Sequence, residues 1–251
     1  MGTAAKVSKR LRLYRNSETQ YHGNMNNIAE KLTDVRERCG EAARRSRRQA
    51  EEVSLIAVSK TQSVDRIREA VEAGQRIFGE NRVQEALTKA LELPKKLHWH
   101  LIGHLQSNKI RKALSLSELL HGVDSVNLAQ GIDRVAAEMG ILPRILLEVN
   151  VSGEKSKFGF VPEGLKTSIE ELLALKHLKI EGLMTVAPFD PNPENSRPFF
   201  AKLRELRDLL TQYAPLPTLS MGMSSDYEVA VEEGATLVRV GSALFGERQS
   251  V

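Results

Sequence analysis

From residue 53 onward a short apolar run and a longer stretch of helical periodicity alternate, and this alternation constrains the fold more than any other feature. The apolar runs fall at 53–59, 76–79, 97–102, 118–123, 144–151, 179–187, 217–221 and 236–240. Helical stretches lie between them, near 64–73, 81–92, 106–113, 127–139, 162–176, 195–212 and 225–233. Gly74, Gly140 and Gly234 each follow such a stretch, where a glycine closes a helix most readily. Eight strands, each but the last followed by a clear helix, predict a single α/β domain, a closed (β/α)8 TIM barrel, and 251 residues is the ordinary length for one. The competing open, doubly wound sheet usually has fewer strands and a glycine-rich first turn. Here the first strand runs into Ser59-Lys60-Thr61, which contains no glycine.

Ahead of the barrel, Ile28, Leu32, Val35 and Cys39 recur at helical spacing and predict an extra N-terminal helix ending near Glu52. Its Arg44, Arg45, Arg47 and Arg48 are dense enough to be expected in solvent. Residues 1–24 are polar and basic, without the apolar core of a secretory leader, and faintly resemble an organelle-targeting peptide. They are expected to be a disordered tail, with Met25 as a natural start and the domain spanning 25–251.

Charge divides the same way. The first 50 residues hold 12 of the 36 basic and 5 of the 32 acidic residues, so the remainder is mildly acidic. A nucleic-acid partner would have to use the arginines at 44–48, and none is expected. No apolar run approaches the ~20 residues of a membrane span. The single cysteine, Cys39, excludes an internal disulfide and suits a reducing cytoplasm.

In such a barrel the chemistry belongs at the C-terminal strand ends. Lys60 stands at the first of them, where a desolvated amine could act as a nucleophile; a strand-end lysine more often reaches solvent. The loops after strands seven and eight carry Ser224-Ser225 and Gly241-Ser242, each leading into a helix. Either pair alone would pass as a cap for its helix, Ser224 or Ser225 for one beginning near Asp226. Together, at the two strand ends where this barrel commonly holds phosphate, they point to a phosphate cradle. Arg239, between Val238 and Val240, would be buried and need an acceptor: Glu80 or Glu148 in a structural ion pair, or a cofactor ring nitrogen. His98, His100 and His104 cluster near strand three, but no second ligand group accompanies them and a metal is not expected.

The stretches Ala57–Thr61, Phe78–Glu85, Trp99–Lys109, Ser220–Asp226 and Val238–Gly246, in this order, resemble the YggS/PROSC family. The resemblance implies the barrel of the alanine racemase N-terminal domain and a pyridoxal 5'-phosphate (PLP) cofactor held as a Schiff base on Lys60. It further implies Asn81 beside the cofactor ring, Ser224, Ser225, Gly241 and Ser242 around the phosphate, and Arg239 facing the pyridine nitrogen. Met184 and Met221 are expected to line the pocket. An arginine cannot accept the proton that makes the ring a strong electron sink, so a homeostasis or carrier protein with little or no catalysis is expected. Only Glu247–Val251 follow the last motif in this sequence, so a racemase's second domain is not expected. An amino-acid racemase is the alternative. Apo-enzymes that need PLP are the expected partners, and a monomer the expected state.

Overall fold

The computed structural model describes residues 28–246. The disordered tail expected at residues 1–24 and the start expected at Met25 lie outside the described residues.

A helix α1 (28–45) precedes the barrel. Eight strands then follow: β1 (Ser54–Val58), β2 (Ile77–Glu80), β3 (His98–Leu101), β4 (Leu119–Val123), β5 (Arg144–Glu148), β6 (Lys179–Met184), β7 (Thr218–Ser220) and β8 (Leu237–Val240). The helices between and after them are α2 (Val64–Glu72), α3 (Val83–Glu92), α4 (Ile110–Leu114), α5 (Val126–Met139), α6 (Pro162–Leu173), α7 (Arg197–Leu210), α8 (Tyr227–Glu232) and α9 (Ser242–Phe245). Each strand pairs in parallel with the next, and β8 returns to β1 with Ile56 opposite Arg239, closing the barrel. All eight strands appear where the apolar runs predict them, although several are shorter. The fifth stops at Glu148, and Val149 beyond it makes an isolated bridge to Phe160 while its N–H still donates to the Met184 carbonyl.

Strand alternation sorts the side chains into two populations. Leu55, Ala57, Trp99, Leu147, Leu183, Leu219, Val238 and Val240 join one continuous apolar core between the sheet and its helices. Leu119, Leu146 and Met184 form a separate, smaller cluster. Met184 and Leu146 are therefore interior residues of the barrel, and Glu148 and Arg239 share that side by the two-residue period.

α1 differs from expectation at its end. It stops at residue 45, Arg47 adopts a left-handed φ of 60°, and Ala50–Glu52 form a separate 3-10 turn. Ile28, Leu32, Val35, Cys39, Ala42 and Ala43 bury one face of α1 in the main core. Full burial of each of the larger ones contributes about 1.5–3 kcal/mol. Nor are its arginines all solvated. Arg45 Nε donates to Glu232 at 2.7 Å, and Arg48 Nη1 donates to the carbonyls of Val231 and Ala235 at 3.1 and 2.9 Å. Arg38 pairs with Glu228. The basic stretch is docked on the acidic α8. Among the described residues no helix is long and apolar enough to cross a membrane.

Candidate functional site

Residues 54, 56, 58 and 60 alternate onto the interior side of β1, so Lys60 follows Ile56 and Val58 into the barrel mouth. There it lines a cavity of about 410 Å³ with Thr61, Gln62, Ile102, Met223, Ser224, Ser225, Arg239, Gly241 and Ser242 among its walls. That volume lies within the usual range for small-molecule sites. Six of the nine residues expected at the site, Lys60, Ser224, Ser225, Arg239, Gly241 and Ser242, thus meet in one space.

The two serine-bearing loops are tied to each other. Ser224 Oγ accepts the backbone N–H groups of Gly241 and Ala243 at 3.1 and 3.3 Å. Neither Ser224 nor Ser225 is the N-cap of the next helix, contrary to expectation; Asp226 is. Its Oδ1 accepts the Met223 N–H at 2.7 Å, and its Oδ2 accepts the Ser196 hydroxyl at 3.0 Å. Gly222, at φ 88°, brings this loop against α8 so closely that a Cβ would stand 2.5 Å from the Ala230 Cβ. Loop 222–226 and α8 are therefore packed as one piece.

Arg239 is buried, and neither expected carboxylate is its hydrogen-bond partner. Nη1 donates to Ser220 Oγ at 2.5 Å and Nη2 to the Thr185 carbonyl at 2.8 Å. Burial pulls its pKa down to about 10, against the opposing attraction of Glu148 and Asp226. Glu80 instead faces outward, where it binds Lys89 and Ser59. A chain of polar groups continues from Arg239 across the barrel: Ser220 Oγ lies 2.9 Å from His121 Nδ1, and His121 Nε2 lies 3.0 Å from His100 Nδ1. Burial lowers the pKa of His121 well below the histidine range and pulls that of His100 down to about 4, so both are neutral at pH 7.

The three remaining expected residues lie elsewhere. Asn81 lines a neighbouring cavity of about 580 Å³ with Arg82, Glu85, Gly103, His104 and Lys109. Gly103 packs on it so tightly that a Cβ would stand 2.7 Å from the Asn81 carbonyl oxygen. Met184 belongs to the interior cluster with Leu119 and Leu146. Met221 sits in the core outside the barrel, on the opposite side of β7 from Ser220. Neither methionine is among the walls of the Lys60 cavity.

His98, His100 and His104 go to three different partners, Glu118, His121 and Asp124, rather than to one centre. Among the described residues there is no cluster of three or more His, Cys, Asp or Glu side chains suited to a metal. His104 Nδ1 donates to Asp124 Oδ2 at 2.8 Å, and its ring stacks on Phe158 at 4.0 Å between ring centres. Nearby Glu148 has its pKa pushed up to about 7, chiefly by burial and secondarily by the Asp124 charge. The sequence offers Glu148 only as an ion-pair candidate for Arg239 and Glu85 only as the end of the Phe78–Glu85 stretch, and it does not single out His121 or Lys89. Strand alternation from Leu119 and Leu146 places His121 and Glu148 inside, and the four-residue spacing of Glu85 and Lys89 puts them on one face of α3.

The cavity offers hydroxyls and two cationic side chains, and no carboxylate is among its walls as far as the described residues go. That donor set suits an anion carrying a group that reacts with an amine.

Residues 34–249 match the family described as alanine racemase, N-terminal domain. The pyridoxal phosphate homeostasis protein of Aquifex aeolicus is 47% identical over 226 residues, which span 89% of this chain and 99% of that protein. Solved structures of Synechococcus elongatus PipY are 44% identical and cover 87% of this chain and 100% of theirs. Their TM-scores are 0.79 without PLP and 0.77 with PLP bound. Clostridium difficile alanine racemase, at 16% identity and a TM-score of 0.70, shares the fold; the match covers 90% of this chain and 60% of the racemase.

Proposed function

The chain belongs to the alanine racemase N-terminal domain family, among the pyridoxal phosphate homeostasis proteins, and on that premise we propose that it binds PLP at Lys60 and serves in PLP homeostasis. One observation carries the reading: a single cavity joins Lys60 of the first strand end to the tied serine loops of the last two, with Arg239 in its wall. PLP is an anion with an aldehyde, and these residues match both of its parts. The chemistry it supplies is condensation of that aldehyde with the Lys60 amine, with loss of one water, to a coloured C=N bond.

The chain's own residues then divide the work. Ser224, Ser225, Ser242 and the Gly241 backbone hold the phosphate, in a loop pair fixed beforehand by the Ser224 bonds. Arg239 faces the pyridine nitrogen as a donor, and Asn81 flanks the ring from the adjoining cavity. An arginine at that nitrogen withholds the proton that a carboxylic acid would share, which disfavours carbanion chemistry. A carrier with little or no turnover follows, its partners being PLP and the apo-enzymes that need it. The racemase alternative draws on His104 and Glu148, which supply acid–base groups near the ends of β3 and β5.

Absorbance spectroscopy of the purified protein mixed with PLP tests the reading. A visible band that is abolished by borohydride and absent in Lys60→Ala is expected; a band unchanged in Lys60→Ala overturns it. Chiral chromatography of alanine incubated with the loaded protein is expected to show no more than slow racemisation. Rapid racemisation establishes the alternative.

A further inference from the structure

The residues on either side of Lys60 are held from outside the cavity by a compact group of charges. Lys89 Nζ, on α3, donates to the Ser59 carbonyl at 2.7 Å, to Glu80 Oε1 at 2.8 Å and to Glu85 Oε1 at 2.6 Å. Glu80 Oε1 also accepts the Ser59 hydroxyl at 2.7 Å. On the other side, Glu85 Oε1 accepts the Thr61 N–H at 2.6 Å. Both peptide neighbours of Lys60 are thus tied to one ammonium, Ser59 directly and through Glu80, Thr61 through Glu85.

Thr61 shows what this grip accomplishes. Its φ is +64°, a left-handed conformation that a residue with a Cβ rarely adopts and that persists only where the surroundings impose it. The Glu85 bond is made to the N–H of that same residue. Lys89 and Glu80 are almost fully buried, and the ion pair is costly to desolvate. Apolar side chains of similar volume could fill this space between β2 and α3 without that cost. They could not bind a carbonyl on one side of Lys60 and an N–H on the other.

We propose that Glu85 and Lys89 are positioning residues for Lys60, fixing the turn that aims its amine into the cavity. The proposal rests on the reading of Lys60 as the residue that takes PLP. Lys60 then enters the reaction with its backbone already ordered, and ordering that is complete beforehand does not slow the reaction. Lys89, the other lysine of this neighbourhood, is engaged by three oxygens and serves the first without competing with it.

Stopped-flow mixing of PLP with wild type, Glu85→Ala and Glu85→Gln tests the proposal. Visible absorbance reports the rate, and borohydride trapping with peptide mapping reports the modified lysine. Glu85→Ala is expected to react at Lys60 at least about tenfold more slowly, while its apo form melts within about 4 °C of wild type. Glu85→Gln keeps an acceptor for the Thr61 N–H and should recover most of the rate. Lys89→Met, which removes the link between the two sides, should also slow the reaction in protein that remains folded by circular dichroism. A wild-type rate in folded Glu85→Ala overturns the positioning role and leaves the cofactor reading intact. Absence of the band in wild type overturns the cofactor reading and this proposal with it.

Discussion

Glu148 ends β5 on the interior side of the barrel, where burial and the Asp124 charge push its pKa up to about 7. An unfolded glutamate titrates near its ordinary value of 4.5. Between these two values the folded protein keeps a proton that the unfolded chain releases, so this residue's contribution is complete below about 4.5. It is lost as pH rises through about 7. At about 1.4 kcal/mol per pKa unit the change is on the order of 3 kcal/mol. Urea unfolding across this pH range should show Glu148→Gln losing much less stability on alkalinisation than wild type; parallel profiles for the two proteins refute the assignment. At the residue scale, what the sequence made legible was direction. The place of Lys60 at a strand end and of Arg239 between two valines points to the barrel mouth and interior, and both residues line the cavity. It did not reveal partners. Arg239 was given a choice of two carboxylates and bonds instead to a serine from β7 and a carbonyl after β6, because closing the barrel brings together groups far apart in the chain.

α8 has six residues, too few for a helix to be stable on its own, and its acidic face is held from two sides. From α1 come Arg38 and Arg45, and from the turn after it Arg48; from α7 come Arg197, which binds Glu232 at 2.6 Å and Glu233 at 3.0 Å, and Arg204, which pairs with Glu233. Exposed pairs of this kind contribute little singly. Arg48 differs, because its side chain is only 17% exposed and donates to two carbonyls at the end of α8. Arg48→Ala should lower the unfolding free energy by about 1–3 kcal/mol, against about 0.5 kcal/mol or less for the exposed Arg44→Ala. Equal losses for the two would show that the carbonyl bonds carry nothing. Composition had marked these arginines as solvated, and helical periodicity had run α1 on to Glu52. Both expectations came from local pattern. The left-handed turn at Arg47 and the acidic surface that receives Arg48 are settled by tertiary contact, which a local pattern does not encode.

Across the whole molecule, α1 shares one apolar core with the sheet and its surrounding helices, although it precedes the first strand. Cys39 reports on this. It is the only cysteine of the chain, 6% exposed, and burial pushes its thiol up to about 12. If α1 and the barrel unfold together, the opening free energy measured by thiol labelling in sub-denaturing urea equals the global unfolding free energy. Labelling that is independent of urea shows that α1 leaves by itself. The architecture was legible because eight repeats of one pattern in a chain of this length leave few alternatives. The interior was less so, since the inward faces of several strands are polar where a barrel usually has aliphatic layers. That interior has a further property. Arginine only donates, so Ser220 Oγ is an acceptor from Arg239. The arrangement that leaves its own buried hydrogen paired sends it to His121 Nδ1, which puts the His121 proton on Nε2 and directs it to His100 Nδ1. Every hydrogen in the chain then points away from Arg239, and the bond dipoles add. The barrel acquires an electrical polarity, negative toward the guanidinium and positive toward β3, so that neutral groups help to solvate a cation to which no carboxylate is bonded among the described residues.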